Sequence, residues 1–240
     1  MLIRVTVWNE FRHEKTNETA KAIYPDGIHA YIKSFLESDD IVVTLAALDD
    51  PDQGISDDLL RNTDVLIWCG HMAHNLVDDA LVEKIRQRVY NGMGFIPIHS
   101  GHHSKAFKAI LGTTGNLTWG REQRAIVWNL APTHPIADGI PAHFEIFDEL
   151  YSEPFYIPKP DDLIFATWYE DGNLFRGGAT FTRGVGKIFY FHPGHETCDS
   201  LKNPYVQTII RNAVKWCCPA NLDKTLDRSC IHQITPVIDK

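Results

Sequence analysis

Residues Asp64 to Gly70 read Asp-Val-Leu-Ile-Trp-Cys-Gly, and residues Phe95 to His99 read Phe-Ile-Pro-Ile-His. Both stretches are continuous apolar runs, which is typical of strands that are covered on both faces of a sheet. Between them, apolar residues recur at helical spacing as far as Gly92: Leu76, Ala80, Leu81, Ile85 and Val89. A strand, a long helix and a second strand in this order predict a βαβ unit with parallel strands.

The same alternation extends towards the N-terminus. Leu2 to Trp8 and Ile41 to Leu48 are predicted strands, and apolar residues at helical spacing lie between them. Ser56 is a predicted N-cap of a short helix through Arg61, and Ser104 to Leu111 is predicted to be helical. Together these elements predict an α/β fold with a mostly parallel central sheet.

The pattern changes after Leu111. The following β-like runs are short, and they are Ala125 to Leu130, Leu163 to Tyr169, Ala179 to Thr182 and Lys187 to Phe191. A hairpin is predicted at residues 182–186, and a final helix from about Pro204 to Trp216. We therefore expect one domain over residues 1–218 and a weakly patterned tail over residues 219–240.

Composition excludes several classes of protein. The chain has 240 residues and a net charge of −8, which disfavours binding to nucleic acid. No run of 18 apolar residues is present, so no membrane span is expected, and no signal for export follows Met1. The five cysteines form no Cys-x-x-Cys pair, which favours reduced thiols in the cytoplasm. The expected localisation is therefore cytoplasmic.

Histidines are concentrated after the predicted strands. Eight of the 12 lie there: His13, His71, His74, His99, His102, His103, His192 and His195. Ligands of open parallel sheets bind outside the carboxyl ends of the strands, so these residues are expected to meet on one rim. Asn9, Glu10, Glu149 and Glu196 are expected on the same rim.

Such a cluster is suited to metal binding, because neutral imidazole is the commonest metal ligand in proteins. We predict Zn²⁺ or another divalent metal as the cofactor, with ligands drawn from His71, His99, His102, His192 and His195. The spacings match no known metal motif. The alternative is a set of rim histidines that bond to backbone groups or bind an anion.

Two segments resemble class I glutamine amidotransferases. Gly94 to Gly101, Gly-Phe-Ile-Pro-Ile-His-Ser-Gly, resembles the strand-to-helix elbow of that family, and Phe191 to Glu196, Phe-His-Pro-Gly-His-Glu, resembles its His-Pro-Glu segment. His99 stands where the nucleophilic cysteine would be, and an imidazole cannot form the thioester that glutamine hydrolysis requires. The resemblance therefore implies the fold without the glutaminase activity.

A closer resemblance is to the trehalose-utilisation, or ThuA-like, family of this superfamily. It covers about residues 1–218 and rests on four segments: Val5 to Glu10, Ile98 to Ser104, Asp148 to Tyr151 and Phe191 to Glu196. What it implies is a flavodoxin-like three-layer sandwich of class I glutamine amidotransferase-like type. It also implies a role in the metabolism of a disaccharide or keto-sugar.

Site roles follow from the rim positions. The predicted catalytic residues are His99, His192 and Glu149. The predicted substrate-binding residues are Asn9, Glu10, His13, Ser100, Tyr151 and Glu196. Several tryptophans are available to stack on a pyranose ring, but the sequence does not single one out.

Three functions remain open at this point. The first is a metal-assisted enzyme acting on a small-molecule carbohydrate. The second is a metal-free sugar-binding or regulatory protein, and the third is a serine-type hydrolase that uses Ser100 with His192. Assembly into a homo-oligomer is also left open.

Overall fold

The computed structural model describes residues 2–219 of the chain. Its strands are β1 Ile3–Asn9, β2 Ile41–Ala47, β3 Val65–Cys69, β4 Gly94–Ile98, β5 Thr118–Asn129, β6 His143–Ser152, β7 Asp162–Tyr169, β8 Leu174–Arg183 and β9 Gly186–Phe191. Its α-helices are α1 His13–Thr16, α2 Glu18–Ile23, α3 Ile28–Leu36, α4 Asp57–Asn62, α5 Asp79–Tyr90, α6 Lys105–Leu111 and α7 Pro204–Cys217. The tail predicted from residue 219 onwards lies, beyond its first residue, outside the described residues.

All nine strands form one sheet in the order β2-β1-β3-β4-β9-β8-β7-β5-β6. The strands from β2 to β9 in this order pair in parallel. Every pair from β9 onwards is antiparallel. The prediction of a mostly parallel sheet was therefore wrong: the sheet is mixed, and the antiparallel half is as large as the parallel half.

Two features of the second half of the chain account for this error. Strand β6 was not predicted, because its acidic residues hide an alternation in which Phe144, Ile146 and Asp148 are buried and their neighbours are more exposed. Strand β5 begins at Thr118, well before the apolar run that revealed its end. Half-buried antiparallel strands carry polar residues on the solvent side, so their sequences contain fewer continuous apolar runs.

The parallel half was predicted closely. Ser56 caps α4 by accepting a hydrogen bond from the amide of Leu59, as expected for an N-cap serine. The hairpin predicted at residues 182–186 joins β8 to β9. Apolar faces of the helices cover this part of the sheet, and α3 and α7 pack against each other and against its strands.

The connections of β1 create the crevice in which a site can form. From β1 the chain moves outwards to β2, and from β2 it crosses back over β1 to β3 on the other side. Right-handed crossovers in opposite directions place their helices on opposite faces of the sheet. The carboxyl ends of β1 and β3 therefore flank a topological switch point, where α/β proteins bind ligands.

The structure also bears on membrane association. Within residues 2–219, no helix combines the length and the apolar character that crossing a bilayer requires.

Candidate functional site

His99 occupies a sharp elbow at the end of β4. Its φ angle is +49°, a conformation that is uncommon for any residue with a side chain. The ring is buried, and its Nδ1 donates a hydrogen bond to the backbone carbonyl of His192 at 3.0 Å. The elbow predicted from the sequence is therefore present, and it aims an imidazole at the rim of the sheet.

The other nitrogen of His99 faces Glu149. Its Nε2 lies 3.1 Å from Glu149 Oε2 and 3.1 Å from the hydroxyl of Tyr151, and the Tyr151 ring stacks on the imidazole. Burial opposes a charge on His99, but Glu149 and Asp148 outweigh it and raise the pKa of His99 to about 9. The Tyr151 hydroxyl also bonds to Ser100 Oγ at 2.9 Å.

A second group of donor atoms lies beside this pair. His13, His71, His195 and Glu196 each offer one donor atom, and the four atoms all lie within 4.8 Å of one another. We call these residues the histidine–glutamate cluster. They come from the ends of β1, β3 and β9, so the predicted meeting of distant histidines on one rim is present in the structure.

Glu196 is the anionic centre of the histidine–glutamate cluster. Its Oε2 lies 3.1 Å from His71 Nδ1 and 3.5 Å from His13 Nδ1. Burial would raise the pKa of Glu196, but the two imidazoles hold it well below its usual range. His71 Nδ1 is nevertheless buried without an aligned hydrogen bond, despite its short distance to Glu196. The two atoms are close, but their relative orientation does not allow a hydrogen bond.

A chain of hydrogen bonds orients His195. The hydroxyl of Thr197 donates to Glu122 Oε1 at 2.8 Å, so its oxygen is left to accept from His195 Nδ1 at 2.7 Å. That bond is much shorter than the 3.4 Å contact from the Thr197 amide to the same nitrogen. Nδ1 therefore carries the proton, and Nε2 presents its lone pair. A histidine ligand held in this way is a common arrangement around metals.

Asp148 was not predicted as a site residue, yet it is fully buried beneath the site. Its carboxylate accepts hydrogen bonds from the backbone amides of Gly194, His195 and Glu149. It thereby fixes the loop that carries His195 and Glu196 of the histidine–glutamate cluster. The sequence signal was the alternation of β6, which puts Asp148 on the same buried side as Phe144 and Ile146. That signal could be used only if the strand was recognised.

His192, predicted as catalytic and as a metal ligand, is fully buried. Its Nε2 lies 3.0 Å from the backbone carbonyl of Glu149 and 2.9 Å from the hydroxyl of Tyr169. Burial lowers the pKa of His192 to about 4, so the ring is neutral at physiological pH. The structure does not bring it to Ser100, so the hypothesis of a serine-type hydrolase lacks its general base.

Three further predicted residues bond to protein groups. His102 Nδ1 donates to the carbonyl of Gly115 at 2.6 Å, and His102 belongs to none of the metal-capable groups within residues 2–219. Glu10 accepts from the amides of Met72 and Ala73, which shapes the loop that carries His71. The side-chain amide of Asn9 donates to Glu14 at 2.7 Å.

An open cavity of about 510 Å³ adjoins the site. Its lining includes His71, Ser100, Glu149 and Tyr151, which were all predicted as site residues. This volume falls in the range of small-molecule sites, of roughly 300–1,000 Å³. His71 of the histidine–glutamate cluster and Glu149, the partner of His99, therefore both border a space in which a substrate can bind.

The described cysteines are unsuited to nucleophilic chemistry. Cys69, Cys198, Cys217 and Cys218 are free and buried. Burial is the main cause that raises the pKa of each of these thiols. A thiolate nucleophile of the amidotransferase kind is therefore missing from the part of the chain that the structure describes.

The fold, the elbow and the His-Pro-Gly-His-Glu loop can now be compared with known proteins. The family model for trehalose utilisation, ThuA, matches residues 4–217. The chain belongs to the ThuA family. A search of curated proteins finds no match.

Solved structures agree with this family. A ThuA-like protein from Parabacteroides merdae has a TM-score of 0.69 at 15% identity, over 90% of each chain. A ThuA-like protein from Bacteroides uniformis has a TM-score of 0.63 at 16% identity, over 90% of this chain and 91% of that one. A glutamine amidotransferase from Thermotoga maritima has a TM-score of 0.54 at 12% identity, over 90% of this chain and 99% of that one. At these identities the neighbours show the fold alone, which is class I glutamine amidotransferase-like.

Proposed function

We propose that this ThuA-family chain is a cytoplasmic enzyme that depends on a divalent metal and acts on a disaccharide or keto-sugar, without glutaminase activity. The observation that carries the proposal is the histidine–glutamate cluster, in which buried His71 Nδ1 lies close to Glu196 without bonding to it. Three imidazoles and one carboxylate suit Zn²⁺, which binds nitrogen and oxygen ligands.

A second group, His99, Glu149 and His195, is also close enough to hold an ion. We favour the histidine–glutamate cluster because both nitrogens of His99 already have partners, whereas His71 Nδ1 has none. His195 belongs to both groups and can hold an ion in only one of them at a time. His99 and Glu149 are therefore left beside the metal position as protein groups.

Glu149 is the residue that we assign to proton transfer. It lines the cavity, and its carboxylate is held by His99. The histidine–glutamate cluster would hold the divalent ion, which would supply Lewis-acid chemistry for a carbonyl or hydroxyl oxygen of the sugar. Tyr151 and Ser100 share a hydrogen bond at the cavity wall and orient sugar hydroxyls there. Carbohydrate chemistry is supported by the family, which is described as trehalose utilisation.

The test is metal analysis of chain purified without chelator or affinity tag. We expect about one equivalent of metal in the wild type and its loss in His71→Ala with Glu196→Gln. His143→Ala, which removes an exposed histidine of β6, is the matched control. Sub-stoichiometric metal that the double substitution leaves unchanged would remove the basis of the proposal.

Turnover is followed separately, by NMR of trehalose and of a keto-sugar glycoside incubated with the metal-loaded chain. Conversion that Glu149→Gln abolishes supports an enzyme. A saccharide that binds tightly and stays unchanged would instead favour the sugar-binding or regulatory role.

A further inference from the structure

The cavity beside the site is lined by two chemically different sets of residues. The proposed function uses Glu149 and His71 for proton transfer and metal binding. Asn116 and Trp119 line the same cavity but have no part in either role, so this second set needs a separate explanation.

Trp119 is the most conspicuous residue of the second set. It is 70% exposed, more than any other large hydrophobic residue within residues 2–219. Exposing an indole ring to water is unfavourable, so an exposed tryptophan at the edge of a cavity commonly has a binding role. The ring supplies a broad apolar face and one N–H donor.

Strand pairing fixes the side of the sheet on which Trp119 lies. Trp119 of β5 is directly opposite Tyr151 of β6. Residues that are directly opposite in an antiparallel pair point to the same face. Tyr151 faces the site, where it contacts His99 and Ser100, so Trp119 lies on the site's face.

The same register also sets the position of Trp119 relative to Glu149. Trp119 is opposite Tyr151, whereas Glu149 is opposite Glu122, and a register shift between Gly120 and Glu122 places one extra residue of β5 between these two pairs. A sugar ring that stacks on Trp119 is therefore held at a different cross-strand pair from a ring beside Glu149.

No other described tryptophan can take this role. Trp8 and Trp68 are buried and stack on each other at 3.7 Å. Trp168 is 52% exposed, but it lines a different cavity with Arg124 and Glu170. The exposed Trp128 and half-buried Trp216 do not line the site's cavity.

The cavity that Trp119 lines also carries polar groups that suit sugar hydroxyls. Burial holds the pKa of His102 well below its usual range, so the ring is neutral. Its Nδ1 donates to the carbonyl of Gly115, which leaves Nε2 as an acceptor. His74 Nε2 is buried without a hydrogen-bond partner and borders the same cavity. Asn116 adds an amide that can both donate and accept. Acceptors beside an aromatic face are what a polyhydroxylated ring with an apolar C–H side requires.

We infer that Trp119 and Asn116 form a second saccharide subsite, which binds the sugar unit next to the unit that reacts beside Glu149. This inference rests on the proposed function, which places the reacting sugar unit beside Glu149. The substrate class is then a glycoside of at least two sugar units, and a free monosaccharide fills only part of the site.

The test is calorimetric binding of trehalose, maltose and glucose to chelator-dialysed chain, in which metal-dependent turnover is suppressed. We expect Trp119→Ala to weaken binding of the disaccharides at least about tenfold and binding of glucose less than about twofold. Trp119→Phe restores most of the disaccharide affinity, because it keeps an aromatic face. Trp168→Ala, which removes a similarly exposed indole elsewhere, leaves all affinities within about twofold.

Three results would overturn the inference. They are wild-type disaccharide affinity in Trp119→Ala, an equal loss for glucose and disaccharides, and a wild type that binds no disaccharide at all. Zinc content is measured in parallel and is expected to be unchanged in Trp119→Ala. A wild type that takes up no zinc but shows the Trp119-dependent difference refutes the metal proposal and leaves the subsite supported.

Discussion

Two histidines at the rim, His192 and His71, occupy contrasting environments. Around His192, Nε2 has partners at hydrogen-bond distance, in the carbonyl of Glu149 and the hydroxyl of Tyr169. In the histidine–glutamate cluster, His71 Nδ1 faces Glu196 at 3.1 Å without an aligned bond. Both environments are at the same rim, so position along the strands does not distinguish them.

The difference teaches how a structural histidine can be told from a ligand. A buried imidazole whose polar atoms are satisfied stabilises the fold, because leaving a partner unpaired would cost free energy. Buried donor atoms that lie close together without hydrogen bonds cost free energy, and an ion bound between them would remove that cost.

The sharpest test compares the zinc affinity and the stability of two variants, one from each environment. His71→Ala is expected to lower zinc affinity about 1,000-fold, which is roughly 4 kcal/mol, and to change the stability of the metal-free chain little. His192→Ala is expected to do the reverse, with a clear loss of stability and a small loss of zinc affinity. Competition with a chromophoric chelator and urea unfolding measure the two quantities. Equal effects of both substitutions on zinc would erase the distinction.

Asp148 is expected to give the largest loss of stability. Asp148→Ala leaves the amides of Gly194, His195 and Glu149 buried without their acceptor. We expect the free energy of unfolding to fall by about 3 kcal/mol, measured by urea unfolding of the metal-free chain. Asp138→Ala, on the surface, is the control. A loss below about 1 kcal/mol would show that the loop is held by other contacts.

Thr197→Val tests the orientation of His195. Valine keeps the shape of threonine but removes the oxygen that accepts from His195 Nδ1. Zinc affinity is expected to fall about 10–100-fold, as for other groups that hold metal ligands. Thr208→Val, at a half-buried position of α7 away from the site, is the control. An unchanged affinity would mean that His195 needs no such support.

His29 gives the smallest effect, in the pH dependence of stability. Burial is the main cause that lowers its pKa, and its Nδ1 lies 3.2 Å from the side-chain amide of Asn9. The unfolded chain therefore takes up a proton near pH 6.5 that the folded chain resists. The contribution of neutral His29 to the free energy of unfolding is fully present above that pH. It falls as the pH drops towards the lower pKa that His29 has in the folded chain.

His29→Leu removes this dependence. The advantage in Tm of the wild type over the variant is expected to shrink between pH 8 and pH 5, in thermal scans across that range. His143→Leu, at an exposed position, is expected to show a constant difference. A wild-type advantage that grows on acidification would contradict the burial argument.

The sequence predicted much of the parallel half and less of the antiparallel half. Strands such as Val65–Cys69 are apolar throughout and therefore stand out in a sequence. Strand His143–Ser152 exposes alternate residues, and its acidic side chains are easily read as a loop. Asp148 was missed for that reason, although its neighbour Glu149 was selected.

The convergence of His13, His71, His99 and His195 was predictable, because parallel strands end on one rim. Individual roles were not predictable. The pairing of Glu122 with Thr197 and His195 joins β5 to the loop after β9, and no short-range pattern signals such a contact. Likewise, only coordinates reveal that His192 Nε2 is occupied by hydrogen-bond partners.

The histidine–glutamate cluster draws on residues from near both ends of the domain, from His13 to Glu196. During synthesis its first two members emerge long before the last two, so the four donor atoms come together only when β9 has docked between β4 and β8. Metal capture would then coincide with the final steps of maturation. A ribosome-bound chain truncated before β9 would bind the ion no better than an unstructured peptide.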